Sequence, residues 1–93
     1  MEMDRIIEFL EARLAEDEGL ALALSGDGDP DAAEARRVER LLAECNAKRD
    51  TINYVQRLNN AGMPEFSADY LEKFLIIMAS VYSGHPDHDE RWV

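Results

Sequence analysis

The sequence predicts a small all-α protein: a three-helix bundle with a long middle helix and a C-terminal tail that folds back on it. Three observations predict this class. Apolar residues recur at alternating steps of three and four along most of the chain, which is the period of a helix with one buried face. Turn-forming residues interrupt that period twice, near residues 25–29 and 61–66. Short β-branched clusters fall inside the helical periods, so the pattern indicates no strand.

Length and charge narrow the classes of function. The 93 residues make one domain, residues 1–93, with a small core. A net charge of −10 argues against nucleic acid and against anionic membrane surfaces as ligands, because both repel an acidic protein. Cys45 is the only cysteine, which excludes an internal disulfide and is typical of a reducing cytoplasm. The acidic N-terminus lacks a signal-peptide pattern, and the apolar run Phe74–Ala79 is too short to cross a bilayer. We therefore expect a cytoplasmic protein.

The first predicted helix covers residues 3–24. Only Asp17 breaks its apolar series, and Gly19 marks a place where the helix can kink or end. The stripe has two interpretations. It packs against the other helices, or it presents Leu10 and Leu14 to a partner helix. Its members are Met3, Ile7, Leu10, Leu14, Ala21 and Leu24.

The second predicted helix covers residues 30–60. Asp29 is placed to cap it, and Pro30 suits the first helical position because that position needs no N–H donor. Gly62 is placed to end it. The apolar stripe, which Lys48 and Arg49 interrupt, comprises Val38, Leu41, Leu42, Cys45, Ile52, Val55 and Leu58.

The third predicted helix covers residues 67–83. Ser67 is placed to cap it, and Phe66 is placed to meet Leu71 in a hydrophobic staple. Gly84 is expected to end it. This helix is apolar nearly all round, which is typical of a helix buried on several sides. We therefore expect it to be the central element of the bundle.

The tail, residues 84–93, begins with a histidine pair that has metal-ligand spacing. Pro86 argues against a helix through His85 and His88, and no third ligand accompanies them. We expect a turn in which Asp87 caps nearby backbone N–H groups, with no metal and no cofactor.

The sequence shows no catalytic constellation, so we expect a protein that is not an enzyme. Its serines lack a nucleophile-elbow context, and its carboxylates lie on helix faces. Trp92 is open to two interpretations: it pins the chain end to the core, or it stands exposed as an aromatic anchor. The predicted partner-binding residues are Leu10, Leu14, Tyr82, His85 and Trp92.

Three stretches resemble an uncharacterised family of small actinobacterial and actinophage proteins. FLEARLAEDEG, residues 9–19, resembles the family's opening helix, and AKRD, residues 47–50, resembles a signature of its second helix. Two departures stand out, a short turn between the first two helices and His88 where tyrosine is usual. The resemblance implies an actinobacterial or phage origin and a cytoplasmic location, and it implies no known activity. The C-terminal region carries the match through Leu71 and Tyr82 of the third predicted helix and, most specifically, through the tail residues His85, Pro86, Asp87, Glu90 and Trp92.

These observations together favour a non-enzymatic protein-binding module. We expect it to be phage-encoded and to modulate a host cytoplasmic protein with a helical or coiled-coil segment, such as a cell-division or polar-growth scaffold. One alternative is an acidic nucleic-acid mimic that inhibits a host DNA-binding protein. Another is a structural protein that associates with itself, for example as a homodimer.

Overall fold

The computed structural model describes residues 2–25 and 31–92. The all-α prediction is confirmed, because these residues form three packed α-helices and no strand. None of these helices is long and apolar enough to cross a membrane within the described ranges. The first helix continues through Gly19 without a break. The elements are α1 (Glu2–Ser25), α2 (Ala32–Ala61), α3 (Ala68–Ala79) and a short 3-10 helix (Ser80–Tyr82).

The start of α2 differs from the prediction. The helix begins at Ala32, and Asp31 is its N-cap, with a side chain that accepts a hydrogen bond from the Glu34 N–H at 2.7 Å. The expected cap Asp29 and the expected first residue Pro30 lie outside the described residues. Asp31 takes the capping role because its carboxylate lies three residues before a helical N–H that has no partner within the helix.

The connection from α2 to α3 follows the sequence signals. Gly62 ends α2 with a left-handed backbone, φ 65°, and its N–H donates to the Asn59 carbonyl. Ser67 caps α3, since its hydroxyl oxygen accepts from the Tyr70 N–H at 3.2 Å. Both predictions are confirmed.

The end of α3 is tighter than expected. The α-helix ends at Ala79, and its last turn continues as the 3-10 helix instead of an α-helix that reaches residue 83. The Ser80 hydroxyl donates to the Ile77 carbonyl at 2.6 Å, and the Ser83 N–H donates to the Ser80 carbonyl at 3.2 Å. These local bonds satisfy the last carbonyls of the helix in the tighter geometry.

The central element is α1, and the prediction that α3 would be central is wrong. The first helix packs against both α2 and α3, whereas α2 and α3 share a smaller contact. Only one side of α3 is buried, through Leu71, Leu75 and Ala79. The wide stripe of α1 packs extensively against two neighbours, whereas α3 packs mainly against α1 and only slightly against α2. The buried apolar residues of α1 are Met3, Ile6, Ile7, Phe9, Leu10, Leu14 and Ala21.

The polar residues that break the apolar stripes of α1 and α2 meet in the folded protein. Asp17 accepts a hydrogen bond from the Tyr82 hydroxyl at 2.8 Å. The Lys48 ammonium lies 5.8 Å from the centroid of the same ring. Beside them, Arg49 donates to the Glu18 carboxylate. The interruptions therefore link α1, α2 and the 3-10 helix at one point.

Candidate protein-interaction surface

The structure places the predicted first-helix surface inside the bundle. Leu10 is 1% exposed and Leu14 is 0% exposed, and both belong to the main apolar core. Since α1 lies between two helices, its stripe packs against them and offers no surface to a partner. Of the two interpretations of this stripe, core packing describes the structure.

The tail folds back, so Trp92 is a buried residue and not an exposed anchor. Its side chain is 5% exposed. The indole ring meets the Phe9 ring edge-on, with 5.2 Å between the ring centroids. The chain end is therefore held against α1 by an aromatic contact of a kind that adds stability beyond its buried area.

Phe9 is the centre of the tail's aromatic contacts, a role that the sequence analysis missed. The rings of Tyr82, His85 and His88 also meet it edge-on, at centroid distances of 6.2, 5.8 and 5.7 Å. Phe9 lies beside the three-and-four stripe of α1, not in it. The only sequence signal for this role of Phe9 was an aromatic side chain next to an otherwise acidic face of α1.

Arg13 fixes the tail through charge and hydrogen bonding. It is 7% exposed, and its Nη1 contacts both ring nitrogens of His85. The guanidinium also lies 3.5 Å from the Asp87 carboxylate and 3.1 Å from that of Glu16. It stacks over the Phe9 ring at 5.2 Å from the centroid. His85 is thus engaged within the protein and is not a free partner-binding group.

The turn itself is capped differently from the prediction. The Asp87 N–H donates to Nδ1 of His85 at 3.0 Å, so in this pair the backbone of Asp87 is the donor. The capping carboxylate is that of Asp89, which accepts from the Arg91 N–H at 2.9 Å and pairs with its guanidinium at 2.6 Å. The hydrogen bonds from Arg91 hold the pKa of Asp89 well below its ordinary value. Within the described ranges, no group of three or more His, Cys, Asp or Glu side chains is placed to hold a metal ion.

A different surface is exposed and apolar. Along α3 and the 3-10 helix, Tyr70, Phe74, Ile77 and Val81 are 51%, 46%, 59% and 69% exposed. Tyr54 of α2 lies beside them and is 58% exposed. We call these five side chains the α2–α3 face. The all-round apolar character of α3 was the sequence signal for this face, which we misread as burial from several sides.

A groove runs along one side of the α2–α3 face, between the two helices. Its volume is about 230 Å³, and its walls are almost entirely apolar. Grooves of this kind accept one large apolar side chain of a partner. The lining residues are Thr51, Tyr54, Val55, Leu58, Phe66, Tyr70, Leu71 and Phe74.

Comparison with known proteins identifies the family but not an activity. The model of a family of unknown function, DUF6221, matches residues 3–93. The chain belongs to DUF6221. The expected resemblance to an uncharacterised family is confirmed at this level, and the match spans α1, α2, α3 and the tail. No curated protein and no solved structure matches the chain.

Proposed function

We propose that this DUF6221 protein is a non-enzymatic protein-binding module and that the α2–α3 face is its binding surface. One observation carries this: five large apolar side chains lie exposed side by side on a small acidic protein. Contiguous apolar patches on soluble proteins mark interaction sites, because exposure to water is unfavourable unless a partner covers them.

The shape of the face favours a helical segment as the partner. Tyr70, Phe74 and Ile77 follow steps of four and three, so they form a ridge along α3, and the exposed Val81 of the 3-10 helix extends it. A helix with a matching apolar stripe can lie along this ridge and place one large side chain in the groove. The net charge of −10 favours basic residues beside that stripe, because opposite charges speed association.

The partner that we propose is a host cytoplasmic protein, with the DUF6221 chain encoded by a phage. This part is supported by the resemblance to actinobacterial and actinophage proteins and by the acidic composition. A coiled-coil scaffold of cell division or polar growth supplies long amphipathic helices of the required kind.

Affinity capture from actinobacterial lysate tests the binding function with two variants of equal charge. Ile77→Asp places a carboxylate in the face, and Leu20→Asp places one at an exposed apolar position of α1, 64% exposed. We expect wild type and Leu20→Asp to retain the same protein and Ile77→Asp to lose it. The purified candidate should then bind wild type at least about tenfold more tightly than Ile77→Asp. Equal binding to both variants would rule out this face.

The nucleic-acid mimic remains a second candidate because of one feature of α1. Asp4, Glu8 and Glu11 are exposed and share one side of the helix, where they form a short line of carboxylates. This candidate is favoured if the Ile77→Asp variant still captures a DNA-binding protein and a variant with Glu8 and Glu11 changed to glutamine no longer captures it. That complex should also weaken steeply with salt.

A further inference from the structure

The spacing of the α2–α3 face is the same when read in either direction. Successive steps of four, three and four residues separate Tyr70, Phe74, Ile77 and Val81. A two-fold axis that crosses α3 midway between Phe74 and Ile77 therefore exchanges Phe74 with Ile77 and brings Tyr70 close to Val81, which lies just past the end of α3 in the 3-10 helix. A second copy placed by that axis runs antiparallel, as an isologous contact requires.

From this we propose that the occupant of the face is a second copy of this chain, packed antiparallel through α3. The inference rests on the proposed binding surface and names what covers it in the free protein, before a host helix displaces the second copy. Tyr70 meets Val81 of the second copy, and Phe74 meets Ile77 of the second copy. Each pair joins one aromatic and one β-branched side chain.

The area of the face is sufficient for such a dimer. Side chains of this size offer roughly 200 Å² each, and slightly more than half of each of the five is exposed. If all of that area is covered, two copies bury on the order of 1,100 Å², close to the roughly 1,000 Å² that a specific interface needs. An area near that lower bound predicts a dissociation constant on the order of 1–100 µM.

The charges near the face permit two acidic chains to meet there. Asp50 and Arg57 line a pocket with Tyr54, and Lys73 lines another with Ile77, so both signs of charge border the face. Much of the acidity belongs to α1 instead, where residues 2–18 carry seven acids and two arginines. The ridge of α3 points away from the buried side that contacts α1. Like-charge repulsion is therefore weaker at α3, which has a net charge of −1, than at α1, which has a net charge of −5.

Sedimentation of the full chain between about 1 and 200 µM tests the dimer. We expect the average mass to rise from monomer toward dimer for wild type and for Leu20→Asp. We expect Ile77→Asp, with unchanged helix content, to stay monomeric, which corresponds to a dissociation constant raised at least about tenfold. A monomeric wild type across the range overturns the inference, and so does a dimer that Ile77→Asp leaves intact.

Disulfide trapping tests the antiparallel register. In a Cys45→Ala background, chains with Tyr70→Cys and chains with Val81→Cys are oxidised separately and as a mixture. Only the mixture should form a cross-linked dimer, because two copies of residue 70 lie roughly 17 Å apart across the axis, far beyond disulfide reach. Cross-linking of Tyr70→Cys chains to each other would show a parallel arrangement and contradict the register.

The two inferences fail separately. In one outcome the wild type is monomeric but still captures a protein that Ile77→Asp does not capture. This outcome refutes the dimer and keeps the face as a binding site for another protein. A dimer that forms as predicted, with no other protein retained through the face, refutes the proposed partner and leaves a self-associating structural protein.

Discussion

Trp92→Ala removes the side chain that holds the tail on α1, and its effect on stability follows from the burial of that side chain. A tryptophan buries about 200 Å², which at roughly 25 cal/mol per Å² corresponds to about 5 kcal/mol. An unfolded chain already covers part of this surface, and an undocked tail regains conformational entropy. We therefore expect the free energy of unfolding to fall by about 2–4 kcal/mol, close to the range for large-to-small core substitutions.

Urea denaturation followed by helical circular dichroism measures this loss, since the variant lacks the only tryptophan. Phe74→Ala is the matched control, because it truncates an aromatic side chain that is 46% exposed. At a protein concentration where the chain is monomeric, we expect Phe74→Ala to lose about 1 kcal/mol or less.

Two outcomes would refute the docked tail. One is a loss below about 0.5 kcal/mol for Trp92→Ala, within the range of ordinary surface substitutions. The other is a loss no larger than that of Phe74→Ala. Phe9→Ala supplies a second readout, because removal of the opposing ring should shift the Trp92 emission toward that of a solvent-exposed indole.

Three further predictions concern the core and the helix ends. Burial and the hydrogen bond to Asp17 raise the pKa of the Tyr82 hydroxyl. The contribution of this hydroxyl to stability is therefore complete below about pH 10, the ordinary pKa of tyrosine, and is lost as pH rises through the pKa of Tyr82 in the folded protein. The difference in urea midpoint between wild type and Tyr82→Phe should accordingly shrink above pH 10, and a constant difference up to pH 11 would contradict this. The pKa of Cys45 is raised mainly by burial and secondly by the nearby Asp17 charge. An aromatic disulfide reagent should therefore label the native thiol at least about 100-fold more slowly than the urea-unfolded thiol. Similar labelling rates would show that the thiol is accessible. Gly62→Ala should destabilise the protein by about 1 kcal/mol because φ is 65° at this residue. Gly19→Ala, within α1, should instead stabilise the protein by about 1 kcal/mol. Thermal unfolding that shifts both variants in the same direction would disprove the helix-end assignment.

Local chemistry made much of the fold predictable. The capping serine at 67 and the glycine at 62 act through backbone groups within four residues, so their roles can be inferred from spacing alone. The start of α2 was misplaced by two residues because aspartates at 29 and 31 are both competent caps and only the three-dimensional path selects one.

The candidate site was less predictable, because its determinants are distant in sequence. Arg13 and His85 are separated by 72 positions, and no local pattern connects a charged residue on an acidic helix to a histidine in the tail. The histidine pair was assigned correctly as a turn, but its capping residue was not. The predicted binding residues Leu10 and Leu14 proved to be core residues.

The sequence by itself determined three amphipathic helices, most of their ends, the turn in the tail and membership of the all-α class, because helical period and capping act over one or two turns. Only the tertiary structure decided that α1 is central and that Phe9 and Arg13 hold the tail. It also decided which side of α3 is left for a partner. The periodicity of a helix shows where its apolar side chains lie, but the number and position of neighbouring helices determine how many of those side chains are buried. In this small bundle α3 has too few neighbours to cover its apolar surface, and the uncovered part is the α2–α3 face.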